Sequence, residues 1–233
     1  MSEDVILKSK ENAARRALEF VKEGMIIGVG SGSTVRLFIE LLSKEFDGVD
    51  LTFVAASYDS ELNLIKQGFR LLPLYEVEKI DIAIDGADEV DPKGNLIKGG
   101  GAALTREKII DYFAEKYCII VDSTKLVSRL FQKHPIPLEV LPESWTFVKN
   151  FLETNLRGDA KLREAVRKNG PVITDNGNFI LDFHVNPNVE KPPELLEEYL
   201  NSIPGVIENG IFARRKPFKI IVGYPNRVEV LDM

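Results

Sequence analysis

The chain has few of the residues that carry redox, metal or nucleophilic chemistry. It holds 1 cysteine, Cys118, so no disulfide can close within it, which fits a reducing compartment such as the cytoplasm. Cys118 also sits inside the apolar run 117–121, as a buried structural thiol does. The only 2 histidines, His134 and His184, have no cysteine or carboxylate at ligand spacing, so zinc-site, Ser-His-Asp and Cys-His readings lack their parts. No apolar run approaches the ~18 residues of a membrane helix. The opening MSEDVILKSK carries acids at once and has no apolar h-region, so a secretory signal is not expected. Positive charge is not in excess either: Lys+Arg 30 against Asp+Glu 36 leaves −6, which argues against a nucleic-acid partner.

What is present is the balance of a folded soluble protein: 233 residues, 44% hydrophobic and 28% charged. That length fits one large domain or two unequal ones. The first half alternates strand and helix signals. Residues 3–22 carry a helical stripe, and 25–29 form a short apolar run between glycines. Val35, Phe38, Ile39 and Leu42 share one helix face. Strands are expected at 51–56, 69–74, 80–84 and 117–121, with helices at 61–67 and 105–116. This alternation predicts a parallel, Rossmann-like sheet covered on both faces.

The texture changes after Lys125. His134-Pro135-Ile136-Pro137 is expected to be a linker, since its two prolines break both helix and sheet. Strands then fall at 138–141, 161–166, 171–174, 178–184 and 206–213, with helices at 145–154 and 193–203. Asp175-Asn176-Gly177-Asn178 reads as a hairpin turn. The β-α-β-β-α-β order predicts a smaller, ferredoxin-like α+β domain over 128–215, a natural oligomer interface. Residues 1–127 and 216–233 form the main α/β domain, to which strands at 219–224 and 228–231 return.

Three loops can hold chemistry. Gly28-Val29-Gly30-Ser31-Gly32-Ser33-Thr34 follows a strand and opens a helix, so its N–H groups and hydroxyls suit a phosphate. Ser33 stands where the dinucleotide fingerprint needs glycine, and there is no Gly-Lys pair for a Walker A loop. Asp85-Gly86-Ala87-Asp88-Glu89-Val90-Asp91 follows a buried strand at the sheet edge where α/β folds bind ligands. Its carboxylates suit either a hard cation or sugar hydroxyls and proton transfer. Lys98-Gly99-Gly100-Gly101 gives a bare loop for close backbone approach beside a cation. Glu107 then sits in the first turn of the next helix, near the positive end of its dipole. Lys125, at another strand end, suits a phosphate as well.

Together, in this order, these motifs closely resemble the ribose-5-phosphate isomerase A family. Asp122-Ser123-Thr124-Lys125 and Thr174-Asp175-Asn176-Gly177-Asn178 match it too, so the resemblance spans nearly the whole chain. It implies interconversion of D-ribose 5-phosphate and D-ribulose 5-phosphate in the non-oxidative pentose phosphate pathway, without metal or organic cofactor, in a cytoplasmic homodimer or homotetramer. It makes Glu107 the catalytic base of an enediolate mechanism. Asp85 and Asp88 become the acidic pair that opens the sugar ring and handles hydroxyl protons. Lys98 becomes the lysine beside the developing oxyanion. Substrate contacts fall on Ser31, Gly32, Ser33, Thr34, Gly86, Ala87, Gly99, Gly100, Gly101, Lys125 and Lys10. Ser31 stands where many members carry threonine, and Ser57-Tyr58-Asp59-Ser60 is less typical of the family.

Two other readings predict different residues. A sugar-phosphate sensor would have no need of Glu107 and would carry a helix-turn-helix segment ahead of a sheet that here begins by residue 25. A metal-dependent hydrolase would use Asp85, Asp88 and Asp91 and would lose activity with a chelator.

Overall fold

The computed structural model describes residues 2–186 and 191–233. In chain order the elements begin α1 (Glu3–Ala17), β1 (Ile26–Val29), α2 (Ser33–Glu45), β2 (Thr52–Ala55), α3 (Tyr58–Lys66), β3 (Arg70–Leu71) and β4 (Ile80–Asp85). Then come β5 (Glu89–Val90), β6 (Leu96–Ile97), α4 (Leu104–Phe113), β7 (Ala114–Asp122), β8 (Ile136–Val140) and α5 (Trp145–Asn155). The chain finishes with β9 (Asp159–Leu162), β10 (Phe179–His184), α6 (Pro193–Asn201), β11 (Val206–Asn209), β12 (Ile211–Phe212), β13 (Lys219–Gly223) and β14 (Val228–Asp232). No helix of the described residues is long and apolar enough to cross a membrane.

The elements gather into two compact units: Met1–Ala87, Arg106–Lys125 and Pro217–Met233 in one, Asp88–Thr105 and Leu126–Lys216 in the other. Residues 88–105, placed by the sequence in the main domain, therefore cluster with the smaller unit. The reason lies in β5 and β6: β5 pairs with β6, and β6 pairs in turn with β12, in a three-stranded sheet.

The larger unit is built on a seven-stranded sheet, ordered β14-β13-β7-β4-β1-β2-β3. All its pairings are parallel except that of β14 with β13. β1 is apolar throughout, and β4 and β7 turn continuously apolar over 82–84 and 117–121, as strands covered on both faces do. Ala13, Ala14 and Ala17 of α1 and Val35, Phe38, Ile39 and Leu42 of α2 are buried in one core with Ile27, Val29, Ile82 and Ile84 of the sheet. Helix α1 begins with Glu3 and Asp4 and ends with Arg15 and Arg16, charges that complement its dipole.

The smaller unit's four-stranded sheet runs β11-β8-β10-β9, with every neighbouring pair antiparallel. With α5 after β8 and α6 after β10, this is the split β-α-β order of a ferredoxin-like sheet. Leu138, Val140, Val148, Leu152, Leu181 and Leu196 meet in its core. The expected linker is corrected here: Ile136 and Pro137 belong to β8, where Pro137 faces Asp182 of β10. A proline fits this position because the carbonyl does the work, accepting from Gly210 N–H at 2.8 Å. The single strand expected over 206–213 is instead two, β11 and β12, in different sheets. The chain changes sheet at Gly210, where a β-carbon would stand 2.3 Å from the Lys98 carbonyl oxygen.

Candidate active site

In the larger unit, register brings four strand ends to one edge of the sheet. Val29 of β1 pairs with Ile84 of β4 on one side and Ala55 of β2 on the other, and Asp85 pairs with Ile119 of β7. Because these strands are parallel, the loops that follow them all leave the same edge. The chain runs from β1 to β2 on one side and reaches β4 on the other, so β1 marks the switch point where open α/β sheets bind ligands.

Asp85 ties two of these loops together. Its side chain is fully buried, and its Oδ1 accepts from the N–H groups of Ser31 (3.2 Å) and Gly86 (2.6 Å). Gly30 donates its own N–H to the Ile84 carbonyl at 3.0 Å. Gly32 has φ +115°, a conformation that side chains resist, and it turns the chain into α2. Ser33 and Thr34 then form the first turn of α2, where backbone N–H groups have no partner within the helix. Lys10, on α1, donates to Ser33 Oγ at 2.9 Å, so the sequence-predicted lysine does meet the sequence-predicted loop.

The atypical segment 57–60 buttresses that loop. Ser57 caps α3, its Oγ accepting from Ser60 N–H at 3.1 Å, and donates to Ser31 Oγ at 3.0 Å. Ser60 Oγ donates to the Gly30 carbonyl. Sequence reasoning missed this role because its partners lie about a strand and a helix earlier in the chain.

Gly28 admits α4 against β1: a β-carbon on it would stand 2.4 Å from Ile110 Cγ2. Glu107 lies in the first turn of α4 and is buried, as are Lys108 and Asp111. The Arg106 guanidinium stands 5.1 Å from the centroid of the Tyr58 ring. Lys125 ends a short turn after β7, half-buried, in a segment fixed by Asp122 Oδ1, which accepts from Thr124 N–H at 2.9 Å. Gly86 and Ala87, both half-buried, complete the end of β4.

In the smaller unit, Asp88 grips the glycine loop. Its N–H donates to the Ile97 carbonyl at 2.7 Å, and its Oδ2 accepts from Gly100 N–H at 2.8 Å. Lys98 is 2% exposed, its N–H donates to the Gly210 carbonyl at 2.9 Å, and its Nζ lies 5.2 Å from the Phe212 ring centroid. Gly99 has φ +103° and leaves no room for a side chain, since a β-carbon would stand 2.9 Å from Leu104 Cδ2. Gly101 faces open space. The sequence reading missed Arg163, whose Nη1 donates to the carbonyls of Gly99 (2.9 Å) and Gly100 (3.1 Å) while Nε holds Asp182 at 2.8 Å.

Two other acids of the 85–91 run are structural. Glu89, fully buried, accepts from the N–H groups of Phe131 and His134 at 2.7 and 2.8 Å. Asp91 accepts from the N–H groups of Lys93 and Asn95 and from Asn95 Nδ2, all within 2.9 Å. An oxygen set so filled by its own turn is poorly placed to ligate a metal. Among the described residues, no three of His, Cys, Asp and Glu are grouped to hold one.

The geometry has counterparts in known proteins. Residues 52–227 match the family model described as ribose 5-phosphate isomerase A (phosphoriboisomerase A). Ribose-5-phosphate isomerase A of Pyrococcus abyssi is 47% identical over 230 residues, covering 97% of this chain and 99% of its own. The Methanococcus aeolicus protein of that name is 47% identical over 223 residues, covering 94% and 93%. A solved D-ribose-5-phosphate isomerase in complex with phospho-erythronic acid superposes with a TM-score of 0.93 at 45% identity, covering 98% and 99%. The Methanocaldococcus jannaschii enzyme does so at 0.91 and 40%, covering 100% of both chains.

Proposed function

The chain belongs to the ribose 5-phosphate isomerase A family, and from that premise we propose how its residues run the reaction. It interconverts D-ribose 5-phosphate and D-ribulose 5-phosphate. The observation that carries the reading is the buried Asp85 carboxylate, which locks the end of β4 to the β1 loop at the sheet's switch point.

Glu107 is the base. Its carboxylate takes the proton from C2 of the open-chain aldose, and the C2–H electrons become the enediolate double bond. The C1 carbonyl oxygen takes up the negative charge and is faced by Lys98, a buried cation whose loop is already in place. Glu107 then returns the proton to C1 while the O2 proton passes to O1, and the ketose results. Asp85 and Asp88 open the ring and handle the hydroxyl protons. The phosphate is remote from both reacting carbons and supplies binding energy that orients them. The Ser31–Thr34 loop, Gly86, Ala87, Gly99–Gly101, Lys125 and Lys10 make the substrate contacts. No step draws on a metal or organic cofactor.

The protein works in the cytoplasm, in the non-oxidative pentose phosphate pathway, as a homodimer or homotetramer with no nucleic-acid or membrane partner. Steady-state assays of ribulose 5-phosphate formation in excess EDTA test the assignment. Lys98→Met is expected to lower kcat by about 10²–10³-fold, as loss of one oxyanion donor does. Full activity in Lys98→Met, or loss of wild-type activity in EDTA, overturns it.

A further inference from the structure

Glu139 lies on β8, between β11 and β10, and is completely buried. A buried carboxylate is unfavourable unless its oxygens are filled. Among the described residues no cation pairs with it; neutral donors fill it instead. Thr105 Oγ1 donates to Oε2 at 2.5 Å. Oε1 accepts from Thr174 Oγ1 (2.9 Å), Asn178 Nδ2 (2.8 Å) and Asn176 Nδ2 (3.0 Å). Only a carboxylate can accept from all of them, since an amide would turn its NH₂ toward one of the donors.

Three of those donors belong to the 174–178 hairpin, which the reaction scheme leaves without a task. That turn is itself fixed, with Thr174 N–H donating to the Asn178 carbonyl at 2.9 Å and Gly177 N–H to the Thr174 carbonyl at 2.9 Å. The remaining donor, Thr105, is the second residue of α4, in the same first turn as Glu107. The network thus joins a rigid hairpin, a sheet strand and the start of the helix that bears the base.

We infer that Glu139 is a positioning residue for the isomerisation: by holding Thr105 it fixes where α4 starts after the Lys98–Gly101 loop, and so where Glu107 stands. This rests on the assignment of Glu107 as the base. A base must be held within a fraction of an ångström, and a misplacement of about 1 Å slows chemistry by as much as ~10²-fold.

The test compares Thr105→Val, Thr105→Ser, Glu139→Gln and Glu107→Gln by steady-state kinetics, with circular dichroism to show each is folded. Thr105→Val removes one donor, keeps the shape of the side chain and leaves the carboxylate its other partners. It is expected to lower kcat about tenfold with KM within about twofold of wild type, and Thr105→Ser is expected to restore kcat to within about twofold. Glu139→Gln, where it folds, lowers kcat in the same way, and Thr105→Val carries the test where it does not. A wild-type kcat in Thr105→Val, or equal impairment in Thr105→Ser and Thr105→Val, overturns the proposal. An inert Glu107→Gln beside a fully active Thr105→Val overturns this inference alone. An active Glu107→Gln overturns the assignment of the base, and this inference with it.

Discussion

Asp85 occupies the space that a side chain at residue 30 would need: a β-carbon built on Gly30 falls 1.8 Å from Asp85 Oδ1. The carboxylate and the bare backbone are therefore one feature. Asp85 can bond Ser31 N–H only because residue 30 is glycine.

Gly30→Ala is accordingly expected to push Asp85 out of its place. Overpacking of this kind destabilises by about 1–3 kcal/mol, and the lost placement is expected to lower kcat/KM by about 10²-fold. Thermal melting and steady-state kinetics check both. A variant with wild-type stability and activity contradicts the account of this loop.

Arg163 clamps the glycine loop through two carbonyls, and its fork is held in turn by Asp182. Lysine has neither the planar fork nor the spare donors. Arg163→Lys is expected to lower kcat/KM about tenfold while the protein stays folded, a loss of about 1.4 kcal/mol in transition-state binding. An unchanged kcat/KM shows that the loop holds its shape without the clamp.

Much of this was legible in the sequence, and the parts that were not have a common cause. The strands β1, β4 and β7 and the helices α1, α2, α5 and α6 announce themselves because apolar spacing is local. The β1 and β4 loops are legible for the same reason, being short motifs at strand ends. Two-residue strands such as β5 and β6 have no periodicity to read. Pro137 misled because a proline's missing N–H says nothing of what its carbonyl does. Arg163 and Glu139 were invisible because their partners, Gly99 and Thr105, lie 64 and 34 positions away in the chain.

Asp81 gives the fold a pH dependence. Burial alone would raise its pKa, but the Lys79 ammonium at 2.6 Å and Ile26 N–H at 2.7 Å together outweigh burial and hold it below the ordinary 3.8. A carboxyl depressed in the folded state adds stability above its unfolded pKa and loses it as pH falls through the folded one. Asp81→Asn is expected to be less stable than wild type at neutral pH and to approach it below pH ~4. Denaturant melts at the two pH values check this, and a difference that grows on acidification contradicts it.

Cys118 is fully buried on β7, and burial pushes its thiol up to about 12 against a small opposing pull from Lys219. Since the thiolate is the reactive form, a thiol reagent at mildly alkaline pH is expected to label the native protein negligibly. The same reagent should label one site per chain after unfolding, because the sequence has 1 cysteine. Rapid labelling of the native protein contradicts the packing described for β7.

The role proposed for Glu107 is to move a proton between C1 and C2 through an enediolate. Proton NMR of D-ribose 5-phosphate in D₂O, with excess EDTA and with wild type run beside Glu107→Gln, reads that transfer at the carbon itself. Wild type is expected to give ribulose 5-phosphate with deuterium at the reacting carbon, and the variant neither product nor exchange. Deuterium exchange at the wild-type rate in Glu107→Gln, or wild-type turnover that stops in EDTA, would contradict it.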